Sequence, residues 1–257
     1  MTNITKSEMR SLKKMKKLKK LTRKFLNIIF PVKCACCGEV SQNADSADIL
    51  CQKCGKLIEE TAGYDCMQCK NPPYLCRCKK VEDISAVLFA YFYSGEKLKR
   101  AIYQLKRANL YYINEFFAKG MYNSLESSGI IEKEGVDFVT NTPRMNKSLK
   151  FYGYNQSEAL ARLISKYAGI PYRRSLLALR SYNTEQKTLN KARRGQNVKN
   201  KFKAVKNMTK PGGAAGKNIL IIDDVVTTGS TLSECAKILK THGAKNIYAL
   251  CAASVIS

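Results

Sequence analysis

The chain has 257 residues, with 45 lysines and arginines against 20 aspartates and glutamates, one histidine, no tryptophan and 11 cysteines. This length suits one medium domain with a small appendage or two small domains, and an apolar share of 45% excludes a wholly disordered chain. A single histidine excludes the usual Ser-His-Asp and multi-histidine metal chemistries unless that residue carries them, and the net charge of +25 favours an anionic partner: nucleic acid, a phosphorylated small molecule or a membrane surface.

The N-terminal segment is basic and amphipathic. Residues 1–33 hold 11 basic residues against Glu8 alone, and apolar residues recur among the lysines at helical spacing between 7 and 30. Such a helix suits DNA, an anionic lipid surface or a partner protein, and a frayed tail packed by its last turn is the plainer alternative. Because the start lacks an apolar secretory core and no apolar run reaches the roughly 18 residues of a membrane span, we expect a cytoplasmic protein without a transmembrane segment.

Nine cysteines lie between residues 34 and 78, and eight of them form four closely spaced pairs. Two facing CxxC turns present four thiolates to zinc at about 2.3 Å, and disulfides fit poorly with a chain that has no export signal. We predict one structural zinc at the first set and a second zinc at a less regular set, with Cys36 outside both. Because few aliphatic residues lie in this segment, bound metal would supply its folding free energy. A role in binding nucleic acid or protein stays open. The sets are Cys34, Cys37, Cys51 and Cys54, and Cys66, Cys69, Cys76 and Cys78.

Strand and helix patterns alternate from residue 81 onward. Strands are predicted over 84–93, 136–141, 219–222 and 247–252, and helices around 98–105, near 113–125, from Asn155 to Gly169 and over 231–242. This alternation favours an α/β fold with a mostly parallel sheet and helices on both faces. The basic, polar stretch 181–217 is predicted to be an extended or mobile loop, with a short hairpin near 198–205, and a long loop of this kind is more often functional than idle.

The stretch from Asn218 to Thr231 carries the candidate chemistry. A buried strand is predicted to end in Asp223 and Asp224, followed by two apolar residues, a hydroxyl-rich turn and a helix. Backbone N–H groups and hydroxyls at a helix N-terminus suit a phosphate monoester, and ligands of open α/β sheets bind at the carboxyl ends of strands. Carboxylates accept hydrogen bonds from sugar hydroxyls, so the pattern predicts a ribose 5-phosphate site. The phosphate-binding turn is Thr227, Thr228, Gly229, Ser230 and Thr231.

This motif resembles the fingerprint of type I phosphoribosyltransferases. Over about residues 25–255 the chain further resembles the ComF family, a competence-associated group with a double zinc ribbon fused to a phosphoribosyltransferase domain. The resemblance divides the chain into a basic segment (1–33), a double zinc ribbon (34–80) and a phosphoribosyltransferase-like domain (81–257). It is carried by the cysteine knuckles, a loop with Pro143 and Arg144, the string GYNQSE at 153–158, and Gln186-x2-Leu189-x3-Arg193-x3-Asn197.

The resemblance implies a donor, 5-phosphoribosyl 1-diphosphate, with Mg²⁺ bridging its diphosphate and its ribose hydroxyls. Asp223 and Asp224 would be the catalytic residues that orient those hydroxyls, and Arg144 would meet the diphosphate. Arg193 or Arg194, in the long loop, would close over it. The family is implicated in natural transformation, which implies single-stranded DNA and DNA-processing proteins as partners.

Two positions depart from the family pattern. Tyr152 stands where an arginine is usual, so a cation near the diphosphate is missing, and Arg144, Lys147 or Lys150 are candidates to replace it. Thr227 stands where purine-salvage relatives commonly carry an aspartate, and a hydroxyl is a poor general base. Purine salvage is therefore disfavoured. Two functions stay open: a phosphoribosyltransferase of unknown acceptor, and a non-catalytic module that binds a nucleotide or single-stranded DNA with the same fold.

Overall fold

The structure is a computed structural model. It describes residues 33–40, 50–59, 81–93, 95–107, 111–144, 153–174, 176–179, 201–205, 208 and 213–255. Several predictions of the sequence fall outside these ranges: the amphipathic helix at 7–30, and Cys66, Cys69, Cys76, Cys78, Lys147, Lys150, Tyr152, Arg193 and Arg194.

A parallel sheet of four strands forms the centre of the fold, in the order β1-β6-β5-β2. A separate antiparallel pair is formed by β3 and β4. The predicted mostly parallel sheet is therefore confirmed. The strands are β1 (Ala86–Phe92), β2 (Phe138–Asn141), β3 (Leu177–Leu179), β4 (Phe202–Ala204), β5 (Asn218–Val226) and β6 (Asn246–Ser254).

Helices cover both faces of this sheet, as predicted. The helices are α1 (Gln52–Glu59), α2 (Gly95–Arg107), α3 (Tyr111–Ser128), α4 (Ile130–Glu134), α5 (Gln156–Ala168) and α6 (Ser230–Thr241). Successive residues of β5 point to opposite faces. Leu220 and Ile222 belong to the apolar cluster with α2, α3 and α5, whereas Ile219 and Ile221 belong to the cluster with α6. Burial on both faces explains the uninterrupted apolar run of this strand.

Helix α5 begins where the sequence predicts and brings polar residues to the sheet edge. The Asn155 side chain accepts hydrogen bonds from the backbone N–H groups of Ser157 and Glu158, at 3.1 and 3.4 Å. Gly169 ends the helix in the left-handed conformation, with φ of 68°. This N-cap sets the position of Gln156 and Ser157, which face the candidate site.

One local prediction differs from the structure, and a second is tested only in part. The strand predicted over 219–222 continues to Val226, so both aspartates lie inside it rather than after it. The reason is that β6 runs beside it to Ser254, and this ladder keeps the acidic residues extended despite their low strand propensity. In the predicted hairpin near 198–205, the described residues 202–204 pair with 177–179, and residues 198–200 lie outside the described ranges.

The first cysteine turns pack against the larger domain. Cys34, Cys54 and Ile58 are buried and share one apolar cluster with the inner faces of α2 and α3. The described part of the cysteine-rich segment thus adds apolar side chains to the core of the α/β domain.

Candidate functional site

The candidate site lies toward the carboxyl ends of β2 and β5, beside the N-terminus of α5 and ahead of α6. Thr142 follows β2 and donates its backbone N–H to the carbonyl of Ile222 at 3.0 Å, which aligns the two strand ends. Side chains from four separate parts of the chain converge here. This is the edge at which parallel α/β sheets bind ligands.

Asp223 is held by three donors. Its Oδ1 accepts hydrogen bonds from Thr142 Oγ1 at 2.8 Å, Ser157 Oγ at 3.0 Å and the backbone N–H of Asp224 at 2.9 Å. Burial and the neighbouring charge of Asp224 nevertheless raise the pKa of Asp223 to about 7. The carboxyl group therefore changes its protonation state near neutral pH.

The raised pKa of Asp223 predicts that stability falls as pH rises. The unfolded carboxyl ionises near its ordinary pKa of 3.8, whereas the folded one stays protonated to about 7. Between these values the folded state binds more protons, so the free energy of unfolding decreases with increasing pH. In Asp223→Asn, Oδ1 still accepts hydrogen bonds from Thr142 and Ser157 but carries no charge. We expect this variant to flatten the decrease and to unfold at a higher temperature than wild type at pH 8.

Thermal unfolding of both proteins between pH 5 and pH 8 measures this effect. An equal pH dependence in the two proteins would show that Asp223 ionises normally in the fold.

Asp224 is buried and contacts residues of two helices. Its Oδ2 accepts a hydrogen bond from Gln156 Nε2 at 2.5 Å and lies 3.7 Å from Lys106 Nζ, while Oδ1 accepts from the backbone N–H of Val225 at 2.7 Å. Sequence reasoning assigned no role to Lys106 or Gln156. The string at 153–158 is a signal that pointed toward Gln156, whereas nothing in the pattern of α2 distinguishes Lys106 from its other basic residues.

Arg144 is linked to Asp224 through Gln156, and its guanidinium has further protein partners. It donates hydrogen bonds to the carbonyls of Tyr154, at 2.9 Å, and Lys106, at 3.2 Å, and to Gln156 Oε1. It also borders a cleft of about 620 Å³ whose walls include Arg162. In the structure, Arg144 holds the loop after β2 against α2 and α5.

The hydroxyl-rich turn between β5 and α6 is open to solvent. Thr227 and Thr228 are exposed, and Thr228 Oγ1 lies 2.7 Å from Ser230 Oγ. Ser230 and Thr231 are partly buried, and Gly229 precedes the helix with φ of 75°. Backbone N–H groups and hydroxyls therefore surround the N-terminus of a 12-residue helix, the arrangement that the sequence predicted.

Gly229 is required for two physical reasons. A Cβ atom here would lie 2.6 Å from Val81 Cγ2, and the positive φ disfavours every other residue type. We expect Gly229→Ala to lower the free energy of unfolding by about 2–4 kcal/mol, combining overpacking with left-handed strain. Urea unfolding measures this loss.

Gly169→Ala is the matched control, because Gly169 has φ of 68° and no atom within 4 Å of the added Cβ. We expect it to lose about 1 kcal/mol from backbone strain alone. Equal losses in the two variants would show that Val81 does not press on the turn.

The first set of cysteines is assembled around a common centre. The sulfur atoms of Cys34, Cys37, Cys51 and Cys54 all lie within 4.8 Å of one another, and the Cys37 and Cys51 sulfurs are 3.7 Å apart. A tetrahedron with Zn–S bonds of 2.3 Å has edges of about 3.8 Å. These four thiols can hold a metal ion.

The thiols of this segment have shifted pKa values in both directions, and burial raises the pKa of the candidate ligand Cys54 as well as that of Cys36. Burial opposes ionisation of Cys34, but hydrogen bonds from the backbone N–H groups of Cys37 and Cys51 lower its pKa to about 6. Burial and the nearby sulfur of Cys34 raise the pKa of Cys36 to about 12. Cys36 lies outside the cluster.

Within the described ranges, no helix has both the length and the apolar character needed to cross a membrane.

Comparisons with known proteins give a family and two groups of relatives. A family model described as a phosphoribosyl transferase domain matches residues 156–256. The chain is 26% identical over 199 residues to Competence protein F of Haemophilus influenzae, covering 77% of this chain and 81% of that protein. It is 24% identical over 216 residues to DNA utilization protein YhgH of Escherichia coli K12, covering 84% and 88%.

Among solved structures, a purine phosphoribosyltransferase from Pyrococcus horikoshii is 18% identical, with a TM-score of 0.32, and covers 53% of this chain and 71% of that chain. This likeness is too distant to bear on function. The matched family model confirms the predicted type I phosphoribosyltransferase fold, and its range contains both aspartates and the whole hydroxyl-rich turn.

Proposed function

The chain belongs to the ComF family, and on this premise we propose that the site at the carboxyl edge binds 5-phosphoribosyl 1-diphosphate or a related ribose 5-phosphate. The observation that carries the proposal is the succession of Asp223, Asp224 and the open turn at 227–231 on one strand-turn-helix unit. We further propose a role in DNA uptake, since the relatives are named for competence and for DNA utilization.

The site residues have separate roles in this proposal. Asp223 and Asp224 accept hydrogen bonds from the 2- and 3-hydroxyls of the ribose, and the turn at 227–231 binds the 5-phosphate through N–H groups and hydroxyls. Arg144 lies next to the diphosphate. Arg193 or Arg194 closes over the donor and excludes water.

Catalysis in this proposal depends on positioning and on charge. The acceptor's nucleophilic atom forms a bond to C1 of the ribose while the bond from C1 to the diphosphate oxygen breaks, and the electron pair leaves with the diphosphate. Positive charge develops on the ring, and the carboxylates of Asp223 and Asp224 favour it. Bound Mg²⁺ neutralises charge on the diphosphate. Thr227 supplies no general base, so the acceptor requires a proton acceptor elsewhere or a nucleophile that needs none.

A non-catalytic module is the second candidate, and Thr227 favours it because no base is present at that position. In this version the same pocket holds a nucleotide or the end of a single DNA strand, while basic segments bind phosphates.

Calorimetric titration with 5-phosphoribosyl 1-diphosphate and Mg²⁺, together with an assay for diphosphate release, tests the first candidate. Binding with release supports the transferase, and binding without release supports the module. Affinity for single-stranded DNA that falls steeply with salt, with no affinity for the donor, would contradict donor binding and leave a nucleic-acid module.

Zinc is our proposal for the metal of the cluster formed by Cys34, Cys37, Cys51 and Cys54. Four thiolates fill a tetrahedral zinc and leave no position for substrate, so the role is structural. The division into a basic segment at 1–33, a double zinc ribbon at 34–80 and a phosphoribosyltransferase-like domain at 81–257 is part of the same proposal.

A further inference from the structure

Gln156 is a buried amide that uses both of its polar atoms at the site. Its side chain donates from Nε2 to Asp224 Oδ2 at 2.5 Å and accepts at Oε1 from Arg144 Nη1. Only 7% of the residue is exposed. The proposed chemistry assigns nothing to this residue, although it joins an aspartate of the ribose site to the arginine beside the diphosphate.

We propose that Gln156 is a positioning residue that couples Asp224 to Arg144, so that the ribose end and the diphosphate end of the donor site keep one fixed geometry. The inference rests on the proposed function for the identity of the ligand. The coupling itself is a property of the protein without a ligand.

The amide connects otherwise separate elements. Asp224 lies on β5, Arg144 lies on the loop after β2, and Gln156 opens α5. The C-terminal turn of α2 joins them through Lys106, whose Nζ lies 3.7 Å from Asp224 Oδ2 and whose carbonyl accepts from Arg144 Nη2 at 3.2 Å. Four segments are thus tied together by one side-chain network, with the amide at its centre.

Only a side chain with a donor at one end and an acceptor at the other satisfies both partners. Leucine has neither, and an ionised glutamate accepts from Arg144 but repels Asp224. A protonated glutamate restores the donor to Asp224 and keeps the acceptor for Arg144. The Gln156→Glu side chain therefore makes both hydrogen bonds of the amide at low pH, when it is protonated, and loses the one to Asp224 at high pH. A purely space-filling role predicts no such dependence on pH.

The first experiment measures the coupling without any ligand. We compare the thermal midpoints of Gln156→Ala, Asp224→Ala and the double variant. Because residues in one buried network are not additive, we expect the sum of the single shifts to exceed the double shift by roughly 2 °C or more. The control replaces Gln156→Ala with Gln104→Ala, because Gln104 is a partly buried glutamine of α2. We expect the thermal shifts of Gln104→Ala and Asp224→Ala to add.

The second experiment measures affinity for 5-phosphoribosyl 1-diphosphate with Mg²⁺ as a function of pH. We expect Gln156→Glu to bind roughly tenfold or more weakly than wild type at pH 8 and within about threefold at pH 5.5. The affinity of the variant is divided by that of wild type at each pH, because Asp223 titrates in the same pH range in both proteins. The charged or titratable groups around position 156 are Asp223, Asp224, Lys106, Arg144, Tyr154 and Glu158. Gln104→Glu is the control, with an expected ratio near one at every pH.

Each outcome decides one question. The coupling is overturned if the thermal shifts of Gln156→Ala and Asp224→Ala add up to that of the double variant. It is also overturned if the donor affinity of Gln156→Glu relative to wild type does not change with pH. If wild type does not bind the donor while the thermal shifts of the alanine variants are non-additive, the proposed ligand is wrong and the coupling stands. If either alanine variant fails to fold, the pH ratio of the isosteric Gln156→Glu variant decides.

Discussion

Replacing Cys54 by serine is expected to release about one equivalent of zinc and to lower the thermal midpoint by roughly 10 °C or more. A structural zinc bound by four thiolates contributes a free energy of about 10–16 kcal/mol at neutral pH, comparable to the whole stability of a typical domain. Cys54 is buried among the residues that join the knuckle to the core, so the loss extends beyond the metal site. Zinc content by mass spectrometry and thermal unfolding measure the two effects.

The matched control for this prediction is Cys36→Ala. Cys36 is buried in the same turn but lies outside the four-sulfur cluster. We expect this variant to keep the wild-type zinc content and to lose only the packing of one sulfur atom. If Cys54→Ser retains all of its zinc, the four-thiolate site is wrong.

Replacing Asp223 and Asp224 together by asparagine is expected to weaken binding of 5-phosphoribosyl 1-diphosphate by about 10³-fold. A hydrogen bond to a charged acceptor contributes about 1.5–3 kcal/mol, and the variant replaces two such acceptors with neutral amides. The same change removes the negative charge that favours a cationic ring, so diphosphate release is expected to fall further than binding. Calorimetry and the release assay measure the two losses separately.

The change at Asp223 is not expected to act through loss of folding. Asp223→Asn alone is expected to stabilise the protein at pH 8, since it removes a carboxylate that burial disfavours. Asp137→Asn serves as the control, because Asp137 lies just before β2 at the opposite edge of the sheet, where it binds Lys217 Nζ at 2.7 Å. We expect that variant to lose some stability and to bind the donor normally. Equal donor affinity in the double variant and wild type would refute the placement of the ribose.

Asp223 lowers the stability of the fold above neutral pH but is proposed to bind the ligand. This proposed role explains why a destabilising residue is acceptable at this position. Burial and the charge of Asp224 raise its pKa and cost stability above neutral pH. In the proposed site, the same pair would provide the acceptors for the ribose diol. A site built for binding commonly reduces stability in this way.

Local chemistry allowed much of the fold to be predicted. Helix α5 has a side-chain cap at Asn155 and a left-handed glycine at Gly169, both of which act within one or two turns of the chain. The turn at 227–231 is equally local, because a glycine with positive φ and several hydroxyls define it. The clustering of the first four cysteines was also predictable, because two facing CxxC turns commonly place their four thiolates around one tetrahedral metal ion.

Contacts between distant segments were not predictable from those patterns. The full length of β5 depends on β6 beside it, whose register extends to the pair Val226 and Ser254. The pairing of β3 with β4 depends on long-range packing in the same way.

The sequence by itself determined the α/β order of elements, the acidic and hydroxyl-rich motif and the cysteine spacing, because each depends on residues close together in the chain. Only the tertiary structure decided that Gln156 and Lys106 contact Asp224, that Arg144 is held by three protein partners and that Val81 packs on Gly229. These contacts join residues from 10 to 148 positions apart, and their geometry is set by how helices and strands pack rather than by any local preference.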